Sequence, residues 1–446
     1  MLFTASAPNH LLPLNGNKTW LLAIVLGITM SSCGFLQQLF GDPTPVVVEK
    51  EPEEVDSTDV VVVPKDTMPV IKEKEQTPSK TGKWAKKDSY TLSLILPFHL
   101  DETELRTLLG QENITGMQNL ASLEFYEGSM MAADVLERMG IRLKINVYDD
   151  YRDESKLMDI LTTMPKSDVV VGPVFTKELA VAAEWGLENE TFVVSPFSPS
   201  SNITRENPFF IMANSTLHTQ MTALIKAVDK EKDNLNWIVV GRPEADSMLI
   251  ATFEAAYPLA GNGSYRPSLK VVNSTDNIQD FLIKGKNNFI FLASIDELFV
   301  NATMRKVSLL SDQYDLEIGG LPPLLDMESL SLDYFEKLKF HYPASYWVNP
   351  LSPKRNSFKD AFKEIYNSAP TDYTMLGYDL TLYMGYLLQY GGPYLPEGFR
   401  LPAPAGDMLY RYEFAPRSIE SETDFFENKN VSILRFDNYR FERIND

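Results

Sequence analysis

Residues 168–197 read DVVVGPVFTKELAVAAEWGLENETFVVSPF. Two short runs of β-branched and aromatic residues, 168–174 and 191–197, flank a stretch, 176–189, with helical spacing of apolar residues. A Gly172-Pro173 pair punctuates the first run, and Ser195-Pro196 follows the core of the second. Continuous apolar runs bounded by turn residues read as strands covered on both faces. With a helix between them, they predict two parallel strands of one sheet.

The same alternation extends in both directions. Upstream, strand patterns at 92–98 and 143–150 precede helical patterns at 122–140 and 154–164. Downstream, 209–214 closes this half, and a helical stretch at 215–231 leads to a second series. Its strand patterns lie at 236–241, 269–274, 288–294 and 316–322, with helical stretches at 245–257, 277–285 and 297–314. Two such series predict an α/β protein with two lobes and mostly parallel sheets. We place lobe 1 at about 89–215 and lobe 2 at about 232–350 of a folded region 89–446.

Composition narrows the function. The chain of 446 residues carries a net charge of −20, with four histidines and one cysteine. That charge repels phosphate, so nucleic acid is not an expected partner. No zinc or thiol constellation, phosphate loop, nucleophile elbow or His-Glu-x-x-His is present. The expectation is a non-enzyme with no cofactor and no metal.

The single cysteine, Cys33, follows Lys18, an apolar run from Trp20 to Met30, and Ser31-Ser32. The run has the length of a signal-peptide core and is too short to span a bilayer. The stretch resembles the bacterial lipobox. That implies a signal peptide over 1–32, lipidation of Cys33, and anchoring in the bacterial outer membrane, with Gly34 after the cysteine. The absence of an acidic cluster there implies a periplasm-facing domain. Residues 41–88 turn Pro-, Glu- and Lys-rich, a composition that cannot offset ordering entropy, so 33–88 reads as the lipidated cysteine and its tether. Within it Ser57 and Thr67 sit in Asp-Ser/Thr-apolar triplets resembling the O-glycosylation site of Bacteroidota.

Across about 90–445 the order of FYEGSMMAADVLERMG, VYDDYRD, VVVGPVFTKELAVAA, FVVSPFSPSSNIT and, far downstream, FKDAFKEIYNSAPTDYTMLGYDLTLYMGYLL resembles the type 1 periplasmic binding protein family, which includes receptors for leucine, isoleucine and valine. The resemblance implies two Rossmann-like lobes joined by crossover segments, the C-terminal ones at about 351–446, around a cleft lined by strand C-termini. Candidate cleft residues are His99, Asp149, Phe175, Thr176, Ser195 and Ser198 from the first lobe, and Arg242, Ser294 and Asp296 from the second. Thr176 reads as a helix N-cap or a carboxylate ligand, Asp149 as a helix cap or an amine acceptor, and Arg242 as a solvated cation or an anion holder. Asp379, in Gly377-Tyr378-Asp379, reads as fixing the interlobe helix. Two positions depart from the family. Pro199 stands where a ligand-binding hydroxyl belongs, and LASIDEL (292–298) lacks the aromatic that covers the ligand.

Those departures, with the expected outer-membrane anchor, favour an envelope accessory module that docks a protein partner. The alternative is a solute receptor that binds an amino acid or another small ligand in the cleft, for transport or sensing.

Overall fold

The computed structural model describes residues 82–99, 117–261, 268–273, 275–404, 408–419 and 422–445. Cys33, Ser57 and Thr67 lie outside the described residues, as do the expected signal peptide and most of the tether. Two sheets of seven strands organise the chain.

The first sheet contains β1 (Tyr90–Leu96), β2 (Leu143–Asp149), β3 (Val169–Val171), β4 (Phe192–Ser195), β5 (Phe210–Met212), β11 (Phe414–Ile419) and β12 (Glu422–Asn428), ordered β11-β12-β5-β4-β3-β1-β2. All its pairs are parallel except the β11–β12 hairpin. Its helices are α1 (Met117–Arg138), α2 (Glu154–Thr163) and α3 (Thr176–Glu188). The second sheet, ordered β14-β13-β10-β9-β8-β6-β7, contains β6 (Leu235–Val240), β7 (Lys270–Val272), β8 (Asn287–Leu292), β9 (Leu316–Gly319), β10 (His341–Ala344), β13 (Ser432–Asp437) and β14 (Arg440–Arg443). Helices α4 (Leu217–Glu231), α5 (Ser247–Ala260), α6 (Glu297–Leu310) and α7 (Leu332–Lys337) accompany it. The run Val169–Val171 is wholly buried, as strands covered on both faces require.

Boundaries shift in informative ways. Helix α4 belongs to lobe 2: Leu217, Met221, Leu224 and Val228 pack with Trp237, Phe253 and Phe289. The stretch expected as a helix at 277–285 is a 3-10 segment, Thr275–Phe281. The last hundred residues divide between the lobes. Helices α8 (Pro353–Tyr366) and α9 (Asp372–Tyr390) and the β11–β12 hairpin complete lobe 1, while β13 and β14 complete lobe 2.

Helices α1 and α9 approach closely through glycines. A Cβ on Gly128 would lie 1.9 Å from the Thr374 carbonyl oxygen, and one on Gly377 2.0 Å from that of Phe125. The buried Ser129 hydroxyl donates to the carbonyls of Phe125 and Gly377, at 3.0 and 3.3 Å. At the other end of lobe 1, near the N-terminal ends of β4 and β5, Trp84 stacks on Phe209 at 6.1 Å and meets Phe192 and Tyr394 edge-on. Lys86 donates to the Tyr390 carbonyl, and Lys83 pairs with Glu190.

The chain passes between lobes at 213–217, 345–352 and 429–431. These crossings are knotted by buried polar groups. Ser215 N–H donates to Ser345 Oγ at 3.0 Å, and Ser215 Oγ donates to the Asn428 carbonyl at 2.6 Å. Asn428 Nδ2 donates to the Ala213 carbonyl, and Thr216 N–H to Glu427 Oε2. Such satisfied groups fix one arrangement where an apolar contact would allow several.

Candidate functional site: the interlobe cleft

Strand C-termini of both lobes turn toward the crossings. After β1, Phe98 is buried and His99 adopts φ 52°, its ring edge-on to Tyr151. Asp149 braces this corner. Its Oδ1 accepts the N–H groups of Phe98 and Tyr151, at 2.9 and 3.0 Å. The cap of α2 is Asp153, which accepts from Lys156 N–H. Asp149 therefore does not cap that helix, since Asp153 stands at the position from which an oxygen reaches the first turn.

Helix α3 starts differently from expectation. Phe175 occupies its N-cap without a side-chain cap bond, and Thr176 is its first helical residue. The Arg152 guanidinium lies 4.1 Å from the Phe175 ring centroid, a cation–π contact. Next to this turn, one residue past the Val171–Val194 pairing, Ser195 is fully buried and its Oγ has no hydrogen-bond partner. An unpaired buried hydroxyl costs about 1–3 kcal/mol and calls for an explanation. Ser198 is also buried and its Oγ accepts from Ser200 N–H. Phe197 packs edge-on against Phe125 and Tyr373, at 5.6 and 5.5 Å.

In lobe 2, Arg242, Ser294 and Asp296 converge, but on one another. Arg242 Nε bonds Asp246 Oδ2 at 3.0 Å, and Nη1 reaches Asp296 Oδ2 at 3.2 Å. Ser294 Oγ donates to Asp246 Oδ1 and accepts from Asp296 N–H. Asp296 caps α6 through Phe299 N–H, and that bond, with Arg242, holds its carboxyl below the usual range. Arg242 keeps 35% of its side-chain surface exposed while it pairs with two carboxylates of its own lobe. An aromatic does stand just past LASIDEL. Phe299 lies under Arg242, 5.0 Å from the guanidinium.

The structure adds groups that sequence reading missed. Asp326, at the end of the 3-10 segment Pro322–Asp326 after β9, interacts electrostatically with Asp372 at the start of α9. Burial first, and Asp372 second, push its carboxyl up. The Tyr342 and Tyr373 phenols feel the same two carboxylates and are pushed up chiefly by burial. Burial also raises Glu124, partly countered by the Thr371 hydroxyl that donates to it at 2.8 Å. Tyr346, from the second crossing, donates across to the Pro196 carbonyl at 2.7 Å. Carboxylates and phenols from both lobes thus meet near Phe197 and Tyr373. Among the described residues, no group of three or more His, Cys, Asp or Glu side chains is placed to hold a metal.

These two mixed, mostly parallel sheets, crossed three times, define the type 1 periplasmic binding protein fold. Solved structures share it. A putative branched-chain amino acid ABC transporter protein from Rhodospirillum rubrum aligns with 80% of this chain and 99% of its own, at 16% identity and a TM-score of 0.58. A substrate-binding protein of an ABC transporter from Desulfitobacterium hafniense, solved with Leu, gives 80%, 99%, 15% and 0.51. A branched-chain amino acid periplasmic ligand-binding protein from Burkholderia xenovorans gives 80%, 95%, 12% and 0.54. At these identities the likeness is one of fold. No protein-family model matches the chain. No curated protein matches it either.

Proposed function

We propose that the chain is a solute receptor that captures a small carboxylate-bearing ligand between its lobes. The observation that carries this reading is Ser195. Its buried Oγ lacks a partner beside the turn into α3, whose N-cap residue contributes no side-chain bond. Helix N-termini attract carboxylates through their N–H groups and dipole, and the hydroxyl adds a donor. The carboxylates of Asp326 and Asp372 offer acceptors for an ammonium group on the same ligand. An amino acid or small peptide combines both groups, and Phe197 and Tyr373 suit an apolar side chain.

The docking role expected from sequence rested on an impoverished cleft and on the expected outer-membrane anchor. With Ser195, Phe299, Tyr342 and Tyr373 in place, solute capture becomes the better reading. We keep with it, as expectations, a lipid anchor at Cys33 in the outer membrane and glycans at Ser57 and Thr67.

The test is calorimetry of the full chain against the proteinogenic amino acids and small peptides. At least one should bind with Kd below about 0.1 mM. Ser195→Ala should weaken it about tenfold, the worth of one hydrogen bond to a charged group. No binding across the panel, or binding unchanged in that variant, refutes the reading.

A further inference from the structure

The three crossings do not form the hinge alone. Residues 408–413, which lead into β11, run beside two of them as a strap. Glu413 N–H donates to Asn428 Oδ1 at 3.0 Å, Lys429 N–H to the Glu413 carbonyl at 2.8 Å, and Asn430 Nδ2 to the Arg411 carbonyl at 3.0 Å. These bonds tie the strap to the third crossing. The second crossing touches it through rings: Tyr346 lies 5.5 Å from Tyr410 and 6.3 Å from Tyr412. Tyr346 is also the residue that bonds across to Pro196.

The upstream end of the strap is held by one side chain. Asp379, fully buried in the middle of α9, accepts Leu409 N–H on Oδ1 at 2.8 Å and Tyr410 N–H on Oδ2. The ionisable groups coupled to it are Lys354 from α8, which acts through space, and the phenols of Tyr410 and Tyr412 on the strap. A buried carboxylate that accepts two N–H bonds grips more firmly than the neutral acid, because charge-assisted bonds are about twice as strong. Yet without a cation in contact, burial disfavours its charge.

We propose that Asp379 is a proton-sensitive latch on the hinge: its carboxylate fastens the strap 408–413 to α9, the strap steadies the Tyr346 crossing, and uptake of a proton loosens the pivot on which the lobes move. Burial raises the Asp379 carboxyl to about 7, against the lowering by its two N–H partners, so the latch changes state near neutrality. The inference needs no ligand, and so stands or falls apart from solute capture.

The experiment is hydrogen exchange of the full ligand-free chain, read by mass spectrometry and corrected for the intrinsic pH dependence of exchange. Protection of peptides covering 408–413 and 345–348 should fall about tenfold between about pH 8 and pH 6. Asp379→Asn should abolish this dependence in both peptides while its unfolding transition stays cooperative. Tyr410→Leu keeps the backbone N–H but removes the ring against Tyr346. In it the strap should still respond to pH as in the wild type, while the response of 345–348 should shrink by about half or more, the Tyr412 ring and the Ser215–Ser345 bond being left in place. Asp150, whose carboxyl burial also raises to about 7, supplies the control: Asp150→Asn should leave both responses intact. If Asp379→Asn does not fold, the wild-type profile and Tyr410→Leu decide. A flat wild-type profile, a dependence that survives Asp379→Asn or disappears in Asp150→Asn, or a Tyr410→Leu chain whose 345–348 peptide follows pH as fully as the wild type would overturn the proposal.

Discussion

Gly377→Ala tests the core of lobe 1 with one methyl group. The new Cβ would lie 2.0 Å from the Phe125 carbonyl oxygen and 2.9 Å from Phe125 Cα. Both atoms are backbone, so no rotamer change relieves the clash. Ordinary contact begins at 3.4 Å, and α1 and α9 must therefore part locally by about 1.4 Å. That movement breaks the Ser129 bond to the Gly377 carbonyl. It also opens the seam in which Ala132, Leu136, Leu380 and Met384 are packed. A gap of 0.5–1 Å already forfeits about a quarter to a half of each dispersion contact. Overpacking itself costs about 1–3 kcal/mol. Together these give about 3–5 kcal/mol, against a total stability of about 5–15 kcal/mol for a typical domain. Urea unfolding followed by fluorescence of the lobe 1 residue Trp84 measures the loss. Gly140→Ala is the comparison. Gly140 has φ +78° with nothing within 4 Å of a new Cβ, so only backbone strain of about 1 kcal/mol applies. A loss below about 1 kcal/mol for Gly377→Ala, or one equal to that of Gly140→Ala, would show that the close approach does not govern the packing of these helices.

Other outcomes follow from single groups. Burial, with Arg435 second, depresses the His341 imidazole to about 3. Its unfolded value lies near 6.5, so the stabilising contribution is complete above about pH 6.5 and falls by about 1.4 kcal/mol per unit toward pH 3. The raised carboxyls of Asp150 and Asp379 work with opposite sign between about pH 4 and 7, where the folded chain takes up protons first. In thermal melts from about pH 7.5 to 4.5, His341→Phe should therefore lose less stability on acidification than the wild type; an identical loss refutes the assignment. Asn428→Ala removes three side-chain bonds at the crossings and should cost about 2–3 kcal/mol by denaturant unfolding; a neutral effect would mean that the crossings hold without it. Cys33→Ala should leave an uncleaved or mislocalised precursor in membrane fractions, and an unlipidated Cys33 in mature wild-type protein by mass spectrometry would contradict the anchor.

The alternation of strand and helix was legible because it depends on local burial. Val169–Val171 and Phe192–Ser195 are buried strands and α3 fills the span between them, as the opening stretch implies. The bonding between the crossings was not legible. Ser215 meets Ser345 from 130 residues away and Asn428 from 213 away, and nothing local marks a serine for such a role. Asp326 escaped notice for a similar reason: its relation to Asp372 exists only once the lobes face each other. Arg242 showed its charge in the sequence, but its two partners are set by the turn after β6 and the cap of α6. The β11–β12 and β13–β14 hairpins went unread because each pairs at the margin of a sheet whose other strands lie far upstream.

The Trp84 stack has a mechanical consequence. It fastens the chain to lobe 1 beside the first residues of β4 and β5, at the end of the sheet away from the crossings. Tension arriving through the preceding residues is delivered through the rings of Phe192, Phe209 and Tyr394 into lobe 1 alone. A load applied at residue 82 would thus be borne by lobe 1, and would reach lobe 2 only through the three crossings.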